Sequence, residues 1–336
     1  MEKILIINVN WLGDVVFSTP ALKALRNHFP NAYISCLVIS RCEEVLKNNP
    51  RINEIIVYDE HGKHKSLLAK IKFIRYLRKK HFDSVYILHP SLRRAMIGFL
   101  AGIPNRIGYS TKRRGFLLTQ SIPVNPESMH KIDYFLYLLS QVGILTVDRK
   151  CEFFLSEKDK NDASLILEQA GIKTNDRFVV FNPGGNWLMK RWPVKHFAVL
   201  ADWLIKKKKV KVVIAGAKSD KVLAQQIVNK VKSKLSVITG LTTLHQLAAV
   251  MVQSQCVVTA DSGPMHIAVA AGAKTVAIFG PTSPELTGPI GTTKAVILQQ
   301  SLGCEVPCYK SDCENNLCME KVTPQMVYDE LIKILR

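Results

Sequence analysis

The sequence predicts an α/β protein built on two parallel sheets, and three observations carry that prediction. Short β-branched runs alternate with longer amphipathic stretches, which is the spacing of βαβ units. The alternation runs from Ile4 to Ala101 and then restarts at Arg177. The chain's 336 residues suit two domains of ordinary size, and a 47% hydrophobic content supplies material for two cores.

The elements follow in order. Ile4–Val9 reads as a buried strand, and Thr19–His28 as a helix with Pro20 in its first turn, where the missing amide has no intrahelical partner to lose. Tyr33–Ile39 is a strand, Glu43–Asn48 a short helix and Glu54–Tyr58 a strand. Ser66–Lys80 is a helix whose Leu67, Leu68, Ile71, Ile74 and Leu77 share one face. Asp83–Leu88 is a strand and Arg93–Ala101 a helix. In the second series the strands are Arg177–Phe181, Val210–Ala215, Leu235–Ile238, Cys256–Thr259 and Thr275–Phe279. The helices are Val194–Ile205, Ser219–Lys232, Leu244–Val252 and Met265–Ala271. The two series join around Ser156–Asn175. The last helix, Pro324–Leu335, has no strand after it and is free to pack back across the junction.

Lys and Arg total 46 against 27 Asp and Glu, a formal net charge of +19. Residues 1–150 hold 23 basic and 11 acidic groups, and residues 151–336 hold 23 and 16, so the excess is spread over both halves. Such a field attracts nucleic acid, anionic lipid or phosphorylated substrates. Met1–Asp14 lacks the apolar core of a signal peptide, and no segment approaches the about 18 uninterrupted apolar residues of a spanning helix. The expected location is the cytoplasm, or the cytosolic face of a membrane as a peripheral protein. Eight cysteines there are expected to be thiols or metal ligands rather than disulfides. Cys304, Cys308, Cys313 and Cys318 are clustered, but at C-x3-C-x4-C-x4-C they lack the C-x2-C pairs of common zinc sites, so a metal and a reduced, structural cluster both stay open.

In parallel sheets ligands bind at the carboxyl ends of the strands, so the residues just after each strand carry the chemistry. Asn10-Trp11-Leu12-Gly13-Asp14 follows the first strand. Its single glycine is not the G-x-G-x-x-G of a dinucleotide site, and no nicotinamide or flavin cofactor is expected there. Asp14 is either a helix N-cap or a carboxylate placed as general base. Asn182-Pro183-Gly184-Gly185-Asn186 leads into Lys190-Arg191-Trp192-Pro193. Glycines allow close backbone approach, and the cations suit phosphate. The alternative is an ordinary loop with a solvated Lys-Arg pair. Asp261-Ser262-Gly263-Pro264-Met265-His266 opens a helix: Asp261 or Ser262 can cap it, and its free N–H groups suit a diphosphate. His266 lies one turn in, as packing or as a site-facing group. Phe279-Gly280-Pro281-Thr282 follows the next strand and could close the same pocket. Lys112-Arg113-Arg114, with Arg93 and Arg94, could dock a phosphorylated acceptor, whereas Lys206–Lys209 reads as a solvated helix end.

Taken together, these motifs resemble the ADP-heptose:lipopolysaccharide heptosyltransferase family, glycosyltransferase family 9. The resemblance rests on Asn10–Asp14 followed by Pro20-Ala21-Leu22, on Lys190–Pro193, on Asp261–His266 and on Phe279–Thr282, with His130-Lys131-Ile132-Asp133 and Cys318-Met319 in support. Their order and spacing cover nearly the whole chain. The segment Gly184–Met189 departs from the family, which usually carries small residues and a second glycine near there.

The resemblance implies a GT-B fold, two Rossmann-like domains with parallel sheets facing a central cleft. Residues 1–165 would form the acceptor-binding domain and residues 166–336 the donor-binding domain. It implies inverting transfer of heptose from an ADP-heptose donor to the phosphorylated inner core of lipopolysaccharide, with addition of the second heptose to the first the leading expectation. Kdo–lipid A as acceptor, or another GT-B nucleotide-sugar transfer, is the alternative. By motif, Asp14 would be the general base, and Lys190, Asp261, Ser262, Gly263 and His266 would bind the donor. No cofactor and no active-site metal are expected. A basic nucleic-acid-binding protein is the non-enzymatic rival. The aromatics do not interleave with the basic runs and no nucleic-acid-binding motif appears, so nucleic acid is not expected as a partner.

Overall fold

In a computed structural model, which describes residues 1–123, 129–310, 313 and 316–335, the protein forms two units, Met1–Phe154 and Leu155–Arg336. The division falls ahead of the helix in the joining segment, earlier than the boundary at residue 165.

The first unit runs β1 (Lys3–Ile7), α1 (Leu12–Phe17), α2 (Thr19–His28), β2 (Tyr33–Val38), α3 (Glu43–Leu46), β3 (Glu54–Val57), α4 (Leu67–Lys79), β4 (Ser84–Ile87), α5 (Leu92–Leu100), β5 (Asn105–Tyr109), β6 (Gln120–Ile122) and α6 (Lys131–Ser140). Its sheet has the order β3-β2-β1-β4-β5-β6, with every pairing parallel. The second runs α7 (Glu157–Gln169), β7 (Phe178–Asn182), α8 (Val194–Lys208), β8 (Lys211–Ile214), α9 (Lys221–Val228), β9 (Ser236–Val237), α10 (Leu244–Gln253), β10 (Cys256–Ala260), α11 (Gly263–Ala271), β11 (Thr275–Ile278), α12 (Pro284–Thr287), β12 (Ala295–Leu298), α13 (Leu317–Glu320) and α14 (Pro324–Ile334). Its sheet, also wholly parallel, has the order β12-β11-β10-β7-β8-β9.

Both sheets are doubly wound. In each, the first strand is central and the chain winds outward from it in both directions, so the strand order reverses beside it. A crevice opens at such a switch point because the loops on its two sides leave in opposite directions. The switch points lie between β1 and β4 and between β7 and β10. A buried asparagine closes the first strand's path at each. Asn8 donates to Ser18 Oγ at 2.8 Å, and its side-chain oxygen receives the Val9 amide at 2.8 Å. Asn182 donates to the Ala215 carbonyl at 3.0 Å and accepts from Thr259 Oγ1 at 3.5 Å.

Three features differ from expectation. The strands β5, β6 and β12 complete the six-stranded sheets, and none of the three is among the strands expected from the sequence. On α4 the apolar stripe singled out in the sequence is largely in solvent: Phe73 and Leu77 are buried, while Leu67, Leu68 and Ile71 are exposed. The rotation of α4 is fixed by Phe73, whose ring packs 4.7 Å from those of both Tyr58 and His64. The last helix lies in the core of the second unit. Val327 and Leu331 of α14 are fully buried with Val179, Ile214 and Val258, and the neighbouring Trp192 donates to the Val322 carbonyl at 2.7 Å.

Because α14 completes this core, Leu331→Ala should lower stability by about 2–5 kcal/mol, the transfer and cavity cost of a buried leucine. Urea unfolding should show a reduced midpoint for the second unit. An unchanged midpoint would mean that α14 contributes no packing.

Candidate functional site

In the second unit the sequence motifs meet at the β7/β10 switch point. Strand β10 ends at Ala260, and the chain turns through Asp261 into α11. Ser262 is the N-cap: its backbone is extended and its Oγ accepts the Met265 amide at 3.3 Å. Pro264 follows in the first turn. Of the turn's amides, Pro264 has none, Met265's is taken by Ser262 and Asp261's by the Ile278 carbonyl. The amides of Ser262 and Gly263 remain to face an anion, fewer than the sequence promised.

Asp261 is therefore not the cap. Its carboxylate, only 5% exposed, gathers the side chains around it. Oδ2 accepts from Lys190 Nζ at 2.6 Å and from Thr282 Oγ1 at 2.7 Å, and Oδ1 lies 3.4 Å from His266 Nε2. Burial alone would raise the pKa of this carboxyl. The hydrogen bond and charge of His266, with the Lys190 ammonium, more than reverse that and hold it far below the usual carboxylate range.

Lys190 comes from the loop after β7. The one-turn helix Leu188–Lys190 carries it, and Arg191 fastens the loop by donating to the Gly185 carbonyl at 2.9 and 3.2 Å. Arg191 is thus committed to its own loop. Thr282 comes from the turn after β11, where Gln299 Nε2 donates to the carbonyls of Gly280 and Thr282 at 3.0 and 2.9 Å. The sequence marked this turn but not the hydroxyl.

Asp220 was also missed. Its carboxylate accepts the Ala217 amide at 2.9 Å beside the glycine loop. A Cβ on Gly184 would lie 2.4 Å from Asp220 Oδ2, and one on Gly216 would lie 2.9 Å from it, so both backbones pass where only glycine fits. Glycines placed after two adjacent strands, with an aspartate at the next helix start, were the available signal.

In the first unit, Asp14 lies in the first turn of α1, half-buried. The N-cap is Trp11, so the capping role is not the one Asp14 has. A carboxylate in that turn is favoured by the helix dipole. Arg41 orders the loop beside it, with its guanidinium 4.2 Å from the Trp11 ring centre and Nε donating to the Asn10 carbonyl at 3.0 Å.

The basic residues noted after β4 and β5 divide. Arg114 is fully buried and donates to the carbonyls of Tyr109, His89 and Ser91, so it organises the loop from inside rather than facing a ligand. Arg94 is nearly buried, 3.3 Å from Glu60 and 3.4 Å from Asn10 Oδ1. Arg93, Lys112 and Arg113 are exposed. Burial, with the charges of Arg94, Arg114 and Lys112, pushes the His89 imidazole down to about 4. His89 is therefore neutral at neutral pH, in strongly positive ground.

The four clustered cysteines are free thiols in the loop after β12 and at α13. Burial pushes the Cys318 thiol up, with Cys313 and Cys304 adding to the rise. Among the described residues, no three His, Cys, Asp or Glu side chains converge as a metal-binding group.

Two doubly wound parallel units, with an anion-ready turn at the switch point of one, define the GT-B class of glycosyltransferases, and comparison with known proteins bears this out. The profile described as glycosyltransferase family 9 (heptosyltransferase) matches residues 70–318, and the chain belongs to that family. It is 28% identical to lipopolysaccharide heptosyltransferase 2 of Escherichia coli strain K12, over 99% of this chain and 98% of that protein. Among solved structures, a family 9 glycosyl transferase from Veillonella parvula superposes with a TM-score of 0.90 at 27% identity, covering 99% of this chain and 97% of that one. The ADP-heptose lps heptosyltransferase II of E. coli superposes with a TM-score of 0.82 at 27% identity, covering 99% and 98%.

Asp261→Asn should cost about 2–4 kcal/mol at neutral pH, since it removes the charge that Lys190 and His266 share. The depressed pKa gives the pH dependence its sign. The unfolded carboxyl takes its proton near pH 4, so the wild-type advantage is complete above that and shrinks as pH falls further. Urea unfolding of both proteins at pH 7 and pH 3 should show a smaller difference at pH 3. An equal difference would separate the cost from the ionised carboxylate.

Proposed function

We propose that this protein transfers L-glycero-D-manno-heptose from ADP-heptose to the inner core of lipopolysaccharide, adding the second heptose to the first. The full-length likeness to E. coli heptosyltransferase II, at 28% identity in the sequence comparison and 27% in the structural one, supports the choice of donor and acceptor. The observation in this chain that carries the reading is the Asp261 cluster, which holds a lysine, a histidine and a capped helix start around one switch point.

In this reading the second unit binds the donor. Lys190 keeps one N–H on Asp261 and turns another toward the donor diphosphate, joined by the amides of Ser262 and Gly263. Asp261 fixes Lys190 and His266, and the three line the donor site together. In the first unit Asp14 is the general base. The acceptor hydroxyl attacks the anomeric carbon, its proton passes to the Asp14 carboxylate, and the bond from that carbon to the diphosphate oxygen breaks with inversion. ADP departs with additional negative charge, which Lys190 and the turn stabilise. No step requires a metal or cofactor. The exposed cations Arg93 and Lys112, on the ground that lowers the His89 pKa, suit a phosphorylated acceptor. Among the described residues no helix is long and apolar enough to cross a membrane. With a net charge of +19, the protein is placed by this reading at the cytosolic face of the inner membrane as a peripheral enzyme.

Asp14→Asn should keep the melting temperature and ADP-heptose affinity while lowering kcat about 10²–10⁴-fold, the usual worth of a positioned base. Near-normal turnover would remove Asp14 from the mechanism. Lys190→Ala should lower kcat/KM about 10²–10³-fold, as for loss of one group that stabilises developing charge. Nucleotide release from ADP-heptose, UDP-sugars and GDP-sugars, with defined lipid A–Kdo–heptose acceptors, tests the donor. Equal turnover of UDP- or GDP-sugars would overturn the assignment.

A further inference from the structure

The misread stripe on α4 leaves an apolar face without a partner in its own unit. Leu67 and Leu68 are 74% and 73% exposed, and Ile71 is exposed one turn on. Helix α5 presents a second row, Met96, Phe99 and Leu100, with Phe99 48% exposed. The rows adjoin. Both helices pack on one core through Phe73, Leu77, Ala95 and Ile97, and Arg78 of α4 donates to the Leu100 carbonyl at 2.8 Å. Lys70 and Ile74 from one helix and Met96 and Leu100 from the other line a single cleft of about 520 Å³.

The charge around this apolar face is predominantly positive. Between His61 and Phe82 the chain has eight Lys and Arg and no Asp or Glu. Lys65, Lys70, Lys72, Arg75 and Lys79 are all exposed. Among the described residues no carboxylate is in salt-bridge range of these five. The nearby acids are paired: Glu54 holds Lys80 at 2.6 Å, and Glu60, which lines the cleft, holds Arg94 at 3.3 Å.

We infer that α4 and α5 form the surface by which the protein docks on an anionic lipid bilayer. Leu, Ile, Met and Phe insert among the acyl-chain boundary while Lys and Arg reach the headgroup phosphates, the composition of interfacial helices. Protein partners fit less well, because lysine is depleted in protein interfaces and α4 offers no uncharged hydrogen-bonding side chain apart from Tyr76. The inference rests on the reading of a lipid-borne acceptor, which gives the docking its purpose.

The test uses the full chain in vesicle sedimentation at 0.1 M salt. One set of vesicles is phosphatidylethanolamine with phosphatidylglycerol, and the other is phosphatidylcholine alone. Wild type should sediment with the first and far less with the second. Leu67→Glu/Leu68→Glu, Phe99→Glu, and Lys70→Glu/Lys72→Glu/Arg75→Glu should each weaken binding at least tenfold. Their circular dichroism, melting and transfer to an acceptor stripped of acyl chains should be unchanged. Transfer to the same acceptor embedded in vesicles should fall with the binding. Equal binding to both vesicle types, variants that bind like wild type, or a concentration-dependent dimer abolished by these substitutions would overturn the inference, the last in favour of a second copy. The arms separate the two proposals. Loss of vesicle binding with intact transfer to the stripped acceptor sinks only the docking face if wild type shows it too, and absence of all heptose transfer alongside the expected vesicle pattern sinks only the catalytic reading.

Discussion

The second unit's site depends on one carboxylate taken out of water. A buried aspartate is unfavourable unless charge and hydrogen bonds replace its hydration. Asp261 meets that requirement with groups from three places: Lys190 after β7, Thr282 after β11 and His266 inside α11. The same constraint positions the loops. Without the lysine, the glycine loop has lost a tie to β10, and without the threonine, so has the turn after β11. What the carboxylate requires electrostatically is what holds the candidate phosphate-facing groups in register, before any ligand arrives.

The two units solve a common problem in parallel. A switch point splays two loops apart and leaves polar backbone at the end of the first strand. Asn8 and Asn182 sit at that point in their respective sheets, both buried, each satisfying its neighbours by a side-chain amide. The chemistry then diverges. The first unit places a half-buried carboxylate in a short helix, beside strongly positive ground one strand further along the sheet. The second places glycines, a lysine and a capped helix start. The roles proposed for them, a base and an anion site, are different electrostatic tasks, and separate sheets let each be tuned without disturbing the other.

The alternation of β-branched and amphipathic segments made the class and most central strands legible, because parallel strands buried on both faces are continuous apolar runs. Three strands away from the sheet centres, β5, β6 and β12, did not show. Asn105–Tyr109 carries an arginine and a glycine, and Gln120–Ile122 is too short for any period to register. The Asp261 turn was legible as a cap followed by proline, yet the cap proved to be Ser262, and the carboxylate's partners came from distant sequence. Arg114 shows the same limit. In sequence it is one of three basic residues in a row, and only the folded chain supplies the carbonyls that let a guanidinium be fully buried. The stripe on α4 failed for a subtler reason. Two apolar rows compete on that helix, and ring packing around Phe73, which no local period encodes, selects which one faces the sheet.

Helix α14 gives the chain a timetable. The first unit has all of its residues once Phe154 is made, whereas the core around β7 waits for Val327 and Leu331. At ribosomal rates, that wait is roughly ten to thirty seconds. Val179, Ile214 and Val258 are made in turn during it and stay without the helix that covers them until it ends, the condition under which nascent α/β chains expose apolar surface to chaperones and to one another. The cluster of lysine, capped turn and buried carboxylate is therefore completed late, after every residue of the other unit has been made.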